Sequence, residues 1–308
     1  MSSNPLVSII TPAFNAAETV KQAIDSVSAQ TYLNWELLVV DDASTDSTAD
    51  IVRECASHDS RIRLITLDTN TGTPGRAKNA ALPHVRGELV AFLDSDDVWL
   101  PRKLEIQVTH MESGEFVLCY SGGWYVDSDL TSLSGFVPRY GDGWIFDRLL
   151  AQYEINNQTV IIRRSAILAL NKPYFKPSIM IGEDCELFMR IARNGNLLGL
   201  PDKLVRYRIR GNSISATHLE HSHEGLEEVI RWTSEDEELL PRCHHSLRLA
   251  RAKVSFYRAK SAMARGATRE ARSYLLPVMF SGWKFAVLTF VILVPPLWRL
   301  CLRYGYRG

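Results

Sequence analysis

The chain has 308 residues, which is enough for one large domain with an appendage or for two domains. Hydrophobic residues make up 46% and charged residues 23%, as in globular proteins with a buried core. Lys+Arg and Asp+Glu both number 35, so no net charge draws the chain to nucleic acid, and we expect no nucleic-acid partner. The five cysteines form no CxxC pair, which argues against a disulfide framework or a zinc ribbon.

Apolar runs and amphipathic segments alternate through the first 110 or so residues. The runs predict buried strands at 6–10, 37–40, 62–67 and 89–93. A capping-box pattern at Asn15 and Glu18 predicts the first helix, and Pro74 opens the third. Near-continuous apolar strands separated by helices predict an α/β fold, with a mostly parallel sheet and helices on both of its faces. In such sheets ligands bind beyond the carboxyl ends of the strands.

The remainder of the chain is predicted to be more mixed. The pattern predicts strands or helices at 116–120, 159–162, 183–193 and 204–209, and the Gly-rich, aromatic stretch 121–157 is predicted to form loops over the site. From about 220 to 277 the pattern is helical. We therefore predict an α/β domain over 1–215, a helical extension over 216–280 and an apolar, basic C-terminal tail over 281–308.

The tail contains an uncharged run, 285–298, between Lys284 and Arg299. The run is shorter than the ~20 residues that span a bilayer, and Pro295 with Pro296 would break a helix. One interpretation is a helix that closes a core, and the other is a segment lying in the cytoplasmic face of a membrane. The N-terminus shows no secretory signal pattern, so we expect a cytoplasmic location, with peripheral membrane contact through the tail as the further possibility.

Three carboxylates follow the fourth predicted strand, in the stretch AFLDSDDVWLP. Asp94, Asp96 and Asp97 would repel one another, and burial raises the cost of keeping them charged. Mg²⁺ or Mn²⁺ removes that repulsion, because these cations take one or two carboxylates together with substrate phosphates. The alternative is that the aspartates cap a helix beginning near Trp99, but three acids at the end of a buried strand favour the metal.

Four segments together resemble the successive motifs of glycosyltransferase family 2. They are VSIITPAFNAAETVKQAIDSVSAQTY, WELLVVDDASTDST, ELVAFLDSDDVWLP and GEDCELFMRIARNG, and they lie in the family's order between about residues 7 and 215. The resemblance implies a GT-A fold, an inverting mechanism, a nucleotide-sugar donor, commonly UDP-linked, and a Mn²⁺ or Mg²⁺ cofactor. With the apolar tail, it suggests a carbohydrate or lipid-linked saccharide acceptor in cell-surface polysaccharide or glycolipid assembly.

By position, the resemblance implies which residues bind the nucleotide. Pro12, Phe14 and Asn15 would line the pocket, and Asp94 would lie near the ribose and the diphosphate. Asp42 would hold the base. A carboxylate there can accept a hydrogen bond from the imide N–H of uracil, although Asp42 could equally cap the next helix.

The resemblance also implies the reacting groups. Asp96 would be the direct metal ligand, with Asp94 beside it, and Asp184 would be the catalytic base. Inversion needs one base to take the proton of the acceptor hydroxyl while the departing diphosphate is stabilised. The alternative for Asp184 is an ordinary acid in the first turn of an amphipathic helix.

Two positions depart from the family pattern. Lys78 stands where the family often has arginine; it can pair with phosphate as a point charge, or the neighbouring Arg76 can take the diphosphate role. Arg210 stands where the family often has histidine. It cannot ligate a cation, but it can bind the diphosphate and so reduce the dependence on metal.

Two other functions remain open on the sequence. Asp94 to Val98 also satisfies the DxDx[VT] pattern of haloacid-dehalogenase-type phosphatases, in which Asp94 would be the nucleophile. That motif normally follows the first strand, whereas three strands precede it here. The other alternative is a non-catalytic scaffold that keeps the fold and acts through its helical C-terminus.

Overall fold

The computed structural model describes residues 4–112, 114–210 and 217–292. Within these ranges the strands are β1 Val7–Ala13, β2 Trp35–Asp41, β3 Ile62–Thr66, β4 Leu89–Phe92, β5 Val98–Trp99, β6 Phe116–Val126, β7 Ser132–Phe136, β8 Asp142–Gly143, β9 Ile161–Arg163 and β10 Asn196–Arg208. The α-helices are α1 Val20–Ser28, α2 Thr48–His58, α3 Pro74–Ala81, α4 Lys103–Met111, α5 Phe146–Ala151, α6 Arg164–Leu168, α7 Glu183–Arg193, α8 Glu224–Glu235, α9 Leu239–Arg242, α10 His244–Ala264, α11 Thr268–Leu275 and α12 Trp283–Ile292.

The strands form one sheet in the order β3-β2-β1-β4-β9-β6-β10-β5, with β7 paired to β6 and β8 to β10. The first four strands of this order are parallel, as predicted. β9 runs antiparallel to both of its neighbours, β4 and β6, and β6 and β10 are again parallel. β1 and β2 are buried at every position, which explains why their sequences are apolar without alternation.

The stretch 121–157 is not the set of loops that the sequence predicted. β6 continues to Val126, and β7 pairs with it in an antiparallel hairpin. The strand pattern was hidden by Gly122 and Gly123, which have no side chain to contribute. A Cβ at Gly123 would lie 2.5 Å from Val205 Cγ2, so glycine permits the close approach of β10.

The chain that follows Asp94, Asp96 and Asp97 also differs from the prediction. Val98 and Trp99 form β5, which pairs antiparallel with Val205 and Arg206 of β10, and α4 begins only at Lys103. The predicted helix start near Trp99 is therefore wrong. Residues 94–97, which we call the acidic turn, connect two strands and do not cap a helix.

The chain divides into two compact units. The first contains the described residues up to Phe146, with Glu154–Ser178 and the described part of Glu183–Gly211. The second contains Asp147–Tyr153, Ile179–Gly182 and the described residues from 217 onward. In the second unit α10 and α11 pack around Phe256, Ala259 and Leu275. No described helix is long and apolar enough to cross a bilayer, and the predicted tail lies outside the described residues beyond 292.

Candidate active site

The strands that carry predicted site residues at their carboxyl ends finish at one edge of the sheet. The parallel register pairs Ala13 with Asp41 and Ile10 with Phe92, so β1, β2 and β4 end at the same edge. Asp42 follows β2 directly, and the acidic turn begins two residues after β4. The fold therefore brings together acids that are about 50 residues apart in the sequence.

Asp94 is held by two amide side chains. Asn157 Nδ2 donates to one carboxylate oxygen at 3.3 Å, and Gln158 Nε2 donates to the other. Both amide residues are buried and lie just before β9, the strand that pairs with β4. The sequence pattern did not single out either residue, because a lone Asn-Gln pair carries no periodic signal.

Asp96 and Asp97 have different surroundings. Asp97 is 2% exposed, and its Oδ1 accepts the backbone N–H of Arg208 at 2.7 Å, so it fastens β10 to the acidic turn. Asp96 is partly exposed, with its Oδ2 3.7 Å from Arg210 Nε. Burial and the charge of Asp94 raise the pKa of Asp96, whereas Arg210 lowers it. The positive charge of the Arg210 guanidinium thus stabilises the ionised form of Asp96.

The residues predicted to line the nucleotide pocket separate into two groups. Pro12 is buried within β1, whereas Phe14 is 49% exposed at the strand end. Asn15 adopts a positive φ of 47°, and its Oδ1 accepts the N–H of Thr45 at 2.8 Å. Asn15 therefore orders the turn after β2. Its predicted capping role is wrong, because α1 begins only at Val20.

Asp42 fixes the loop that leads into α3. Its carboxylate accepts the backbone N–H of Thr71 at 2.8 Å and the Thr71 hydroxyl at 2.9 Å. Its backbone carbonyl accepts from Asn70 Nδ2 at 3.1 Å. Because an ionised carboxylate has about four acceptor sites, Asp42 keeps the capacity to accept a base N–H as well.

The two basic residues of α3 have unequal access to a ligand. Arg76 is exposed and donates to the carbonyls of Thr71, at 2.8 Å, and Pro177, at 2.6 Å. Lys78 is only 2% exposed, and its Nζ lies 3.5 Å from Glu183 Oε1. The ammonium group of Lys78 therefore faces a carboxylate inside the protein, and its predicted role in nucleotide binding stays a prediction.

Asp184 is the second residue of α7, and its Oδ1 accepts the N–H of Cys185 at 2.8 Å. Burial raises the pKa of Asp184, the charge of Lys78 lowers it, and the charge of Asp94 raises it. The balance leaves the pKa of Asp184 above that of an ordinary aspartate. A carboxylate with a raised pKa is a better proton acceptor near neutral pH.

Tyr207, on β10, is affected electrostatically by both the acidic turn and Asp184. Burial raises its pKa, and so do the charges of Asp97, Asp94, Asp96 and Asp184. The phenol therefore stays protonated near neutral pH. Asp184 and the acidic turn consequently belong to one electrostatic site.

The acidic turn can supply some of the ligands of a divalent cation, and a substrate can supply the others. Asp94 and Asp96 offer the hard oxygen atoms that Mg²⁺ and Mn²⁺ prefer, and burial together with the charge of Asp94 raises the pKa of Asp96. Among the described residues, no group of three or more His, Cys, Asp or Glu side chains is arranged to hold a metal alone. The remaining ligands would therefore come from a diphosphate and from water.

Comparisons with known proteins agree with this geometry. The family model described as "Glycosyl transferase family 2" matches residues 8–165. The putative teichuronic acid biosynthesis glycosyltransferase TuaG of Bacillus subtilis is 34% identical over 69% of this chain and 82% of its own. The chain belongs to glycosyltransferase family 2. The Escherichia coli enzyme WfgD, a UDP-Glc:alpha-D-GlcNAc-diphosphoundecaprenol beta-1,3-glucosyltransferase, is 35% identical over 68% of this chain and 80% of its own.

Solved structures show the same fold. S. aureus TarS in complex with UDP superposes with a TM-score of 0.68 at 19% identity, covering 97% of this chain and 92% of that one. The mannosyltransferase PcManGT of Pyrobaculum calidifontis, solved with GDP-Man and Mn2+, superposes with a TM-score of 0.61 at 17% identity. The match covers 99% of this chain and 89% of that one. The predicted GT-A fold is confirmed. Membership of family 2 makes the chain a glycosyltransferase and removes the phosphatase and scaffold alternatives.

Proposed function

We propose that this glycosyltransferase moves a sugar, with inversion, from a UDP-sugar to a hydroxyl of a lipid-linked saccharide during cell-surface polysaccharide or glycolipid assembly. The observation that carries the proposal is the acidic turn at the carboxyl edge of the sheet, where Asn157 and Gln158 hold Asp94 and Arg210 faces Asp96. The name of WfgD supplies the donor and acceptor classes for that relative, and TarS was solved with UDP. The name of TuaG places that relative in teichuronic acid biosynthesis.

In this mechanism the donor lies along the carboxyl edge of the sheet. Asp42 accepts the imide N–H of the uracil, and Phe14 and Asn15 border the nucleoside. Asp94, oriented by Asn157 and Gln158, lies beside the ribose and diphosphate.

The transfer itself requires one base and a stabilised leaving group. Asp184 accepts the proton of the acceptor hydroxyl as its oxygen attacks the anomeric carbon from the side opposite the diphosphate. Asp96 and Asp94 would hold Mg²⁺ or Mn²⁺, which when bound neutralises charge on the departing diphosphate. Arg210, whose Nε lies 3.7 Å from Asp96 Oδ2, adds a second positive charge at the same place.

Thermal-shift measurements test the donor class. We expect UDP-glucose and UDP-N-acetylglucosamine with Mn²⁺ to stabilise the protein, by about 2.7 kcal/mol at a hundredfold excess over Kd. GDP-mannose serves as the matched control and should stabilise it far less. A shift with GDP-mannose alone would contradict the UDP assignment, and the absence of any shift would contradict the nucleotide-sugar proposal as a whole.

Peripheral membrane contact is part of the proposal. In the second unit large apolar side chains are exposed on the segment that leads into the tail: Leu276, Phe280, Val287 and Phe290. Phe280 is 87% and Phe290 70% exposed, and the sequence beyond them adds Arg299 and Arg303. Exposed aromatic groups beside basic residues suit the interface of an anionic bilayer, where a lipid-linked acceptor resides.

Sedimentation with phosphatidylglycerol vesicles tests this contact. Replacing both Phe280 and Phe290 by serine should lower the partition coefficient at least about tenfold, because each phenylalanine contributes up to about 3 kcal/mol on full burial. Leu33→Ser is the control, since Leu33 is 71% exposed in the first unit and should not matter. Equal partitioning of the double variant and the wild type would contradict the proposed contact.

A further inference from the structure

We propose that Lys78 and Glu183 form a buried ion pair that positions Asp184 for proton transfer, so that Lys78 acts on the base and not on the donor diphosphate. This inference rests on the proposed role of Asp184. It assigns a function to Glu183, and it assigns Lys78 a function different from the one that the sequence predicts.

The first support is the environment of the Lys78 ammonium group. Lys78 is almost completely buried, with Nζ 3.5 Å from Glu183 Oε1. Its Nζ also lies 5.7 Å from the ring centre of Phe92 and 5.2 Å from that of Phe175. A charged amine in such a place is costly unless it is paired, so the apolar rings make the attraction to Glu183 strong. The pair connects α3 to the first turn of α7.

The second support is the close contact between α3 and α7. A Cβ at Gly75 would lie 2.6 Å from Glu183 Cγ and 3.2 Å from Phe175 Cβ, so only glycine allows this approach. Asn79, one residue after Lys78, donates to Phe175 O at 2.7 Å and accepts the Phe175 N–H at 3.0 Å. Contacts on both sides of Lys78 therefore hold α3 against Glu183.

The third support is that Asp184 directly follows Glu183. The groups that face Asp184 electrostatically are Lys78 from α3, Asp94 from the acidic turn, Glu183 of its own helix and Tyr207 from β10. Lys78 is the cation of this set. Loss of its charge would release the first turn of α7 and would leave three carboxylates without that counter-charge.

A direct phosphate contact by Lys78 would require a different geometry. A diphosphate ligand must reach the ammonium group, whereas Lys78 has 2% of its surface exposed and Phe92 and Phe175 beside its Nζ. Arg210, which faces Asp96, is more accessible than Lys78, with 29% of its side chain exposed.

Kinetics with matched variants test the inference. Lys78→Met should lower kcat about 100-fold, as expected for a misplaced catalytic group, while the Kd for UDP changes less than about twofold. The acidic limb of its pH–kcat profile should move to higher pH, because the cation that lowers the pKa of Asp184 is gone. Lys78→Arg should recover at least about a tenth of the lost activity.

Lys176→Met is the control for loss of a lysine beside the same helix. Lys176 Nζ lies 3.0 Å from Glu186 Oε1, further along α7 from Asp184. This variant should keep the wild-type kcat and pH profile. A tenfold or larger rise in the UDP Kd of Lys78→Met, with kcat unchanged, would overturn the positioning role and restore the diphosphate role.

A double-variant cycle on unfolding separates the ion pair from the chemistry. The double variant Lys78→Met with Glu183→Gln should lose less free energy of unfolding than the sum of the losses in the two single variants, because it leaves no unpaired buried charge. If the losses of unfolding free energy in the two single variants simply add in the double variant, the ion pair is contradicted, whatever the transfer activity of the variants. Failure of the wild type to transfer sugar from any UDP-sugar would instead overturn the proposed function.

Discussion

Replacing Asp184 by asparagine is expected to lower kcat by about 10²–10⁴-fold while UDP binding stays unchanged. Asparagine keeps the shape of the side chain and its oxygen can still accept the N–H of Cys185, which Asp184 accepts at 2.8 Å. It cannot take the proton of an acceptor hydroxyl. Single-turnover transfer assays and UDP calorimetry on the same preparations measure the two quantities separately.

The control for this variant is another acid in the first turn of a helix. Asp50 occupies that position on α2 and pairs with Arg53. Asp50→Asn should change the stability by less than about 1 kcal/mol and should leave kcat unaltered. Wild-type turnover by Asp184→Asn would show that Asp184 is only a helix-terminal acid and that another group is the base.

The pH profile gives an independent check on Asp184. Because burial raises its pKa, the active ionised form is lost as the pH falls through a value above that of an ordinary aspartate. The acidic limb of kcat should therefore lie at a higher pH than the titration of an ordinary aspartate. Asp184→Asn should remove that limb from whatever residual activity remains.

Replacing Asp96 by asparagine is expected to abolish the effect of Mn²⁺ on nucleotide binding. In the wild type we expect Mn²⁺ to tighten UDP binding at least about 30-fold, since a metal contact to a diphosphate contributes several kcal/mol. In Asp96→Asn the Kd for UDP should be the same with Mn²⁺ and with EDTA. Isothermal titration calorimetry under both conditions measures the difference.

Two neighbouring variants sharpen this experiment. Asp97→Asn should keep the response to Mn²⁺, because Asp97 is buried and its Oδ1 accepts the N–H of Arg208. Arg210→Gln should weaken UDP binding in EDTA more than in Mn²⁺, because Arg210 supplies the positive charge that remains without metal. A persistent response to Mn²⁺ in Asp96→Asn would exclude Asp96 as the ligand.

Much of the fold and part of the site could be predicted from the amino-acid sequence. The parallel strands β1, β2 and β4 are buried on both faces, so their largely apolar sequences are visible without a structure, whereas β3 at the edge of the sheet is only partly buried. Asp42 and the acidic turn follow two of these strands, and parallel strands bring their carboxyl ends to one edge. The order of the family motifs then indicated Asp184 and a glycosyltransferase.

The tertiary structure alone decided which partners these residues have. Gln158 contacts Asp94, which is 64 positions away in the sequence, and Lys78 contacts Glu183, which is 105 positions away. The periodicity of a sequence indicates whether a position is buried, but not which residue lies beside it. Lys78 is a charged residue that local pattern assigns to a surface, yet the rings and carboxylates of distant segments make its burial possible. The sequence determined the sheet and the acids at its edge, whereas folding determined which acid is accessible, which is structural and which is paired.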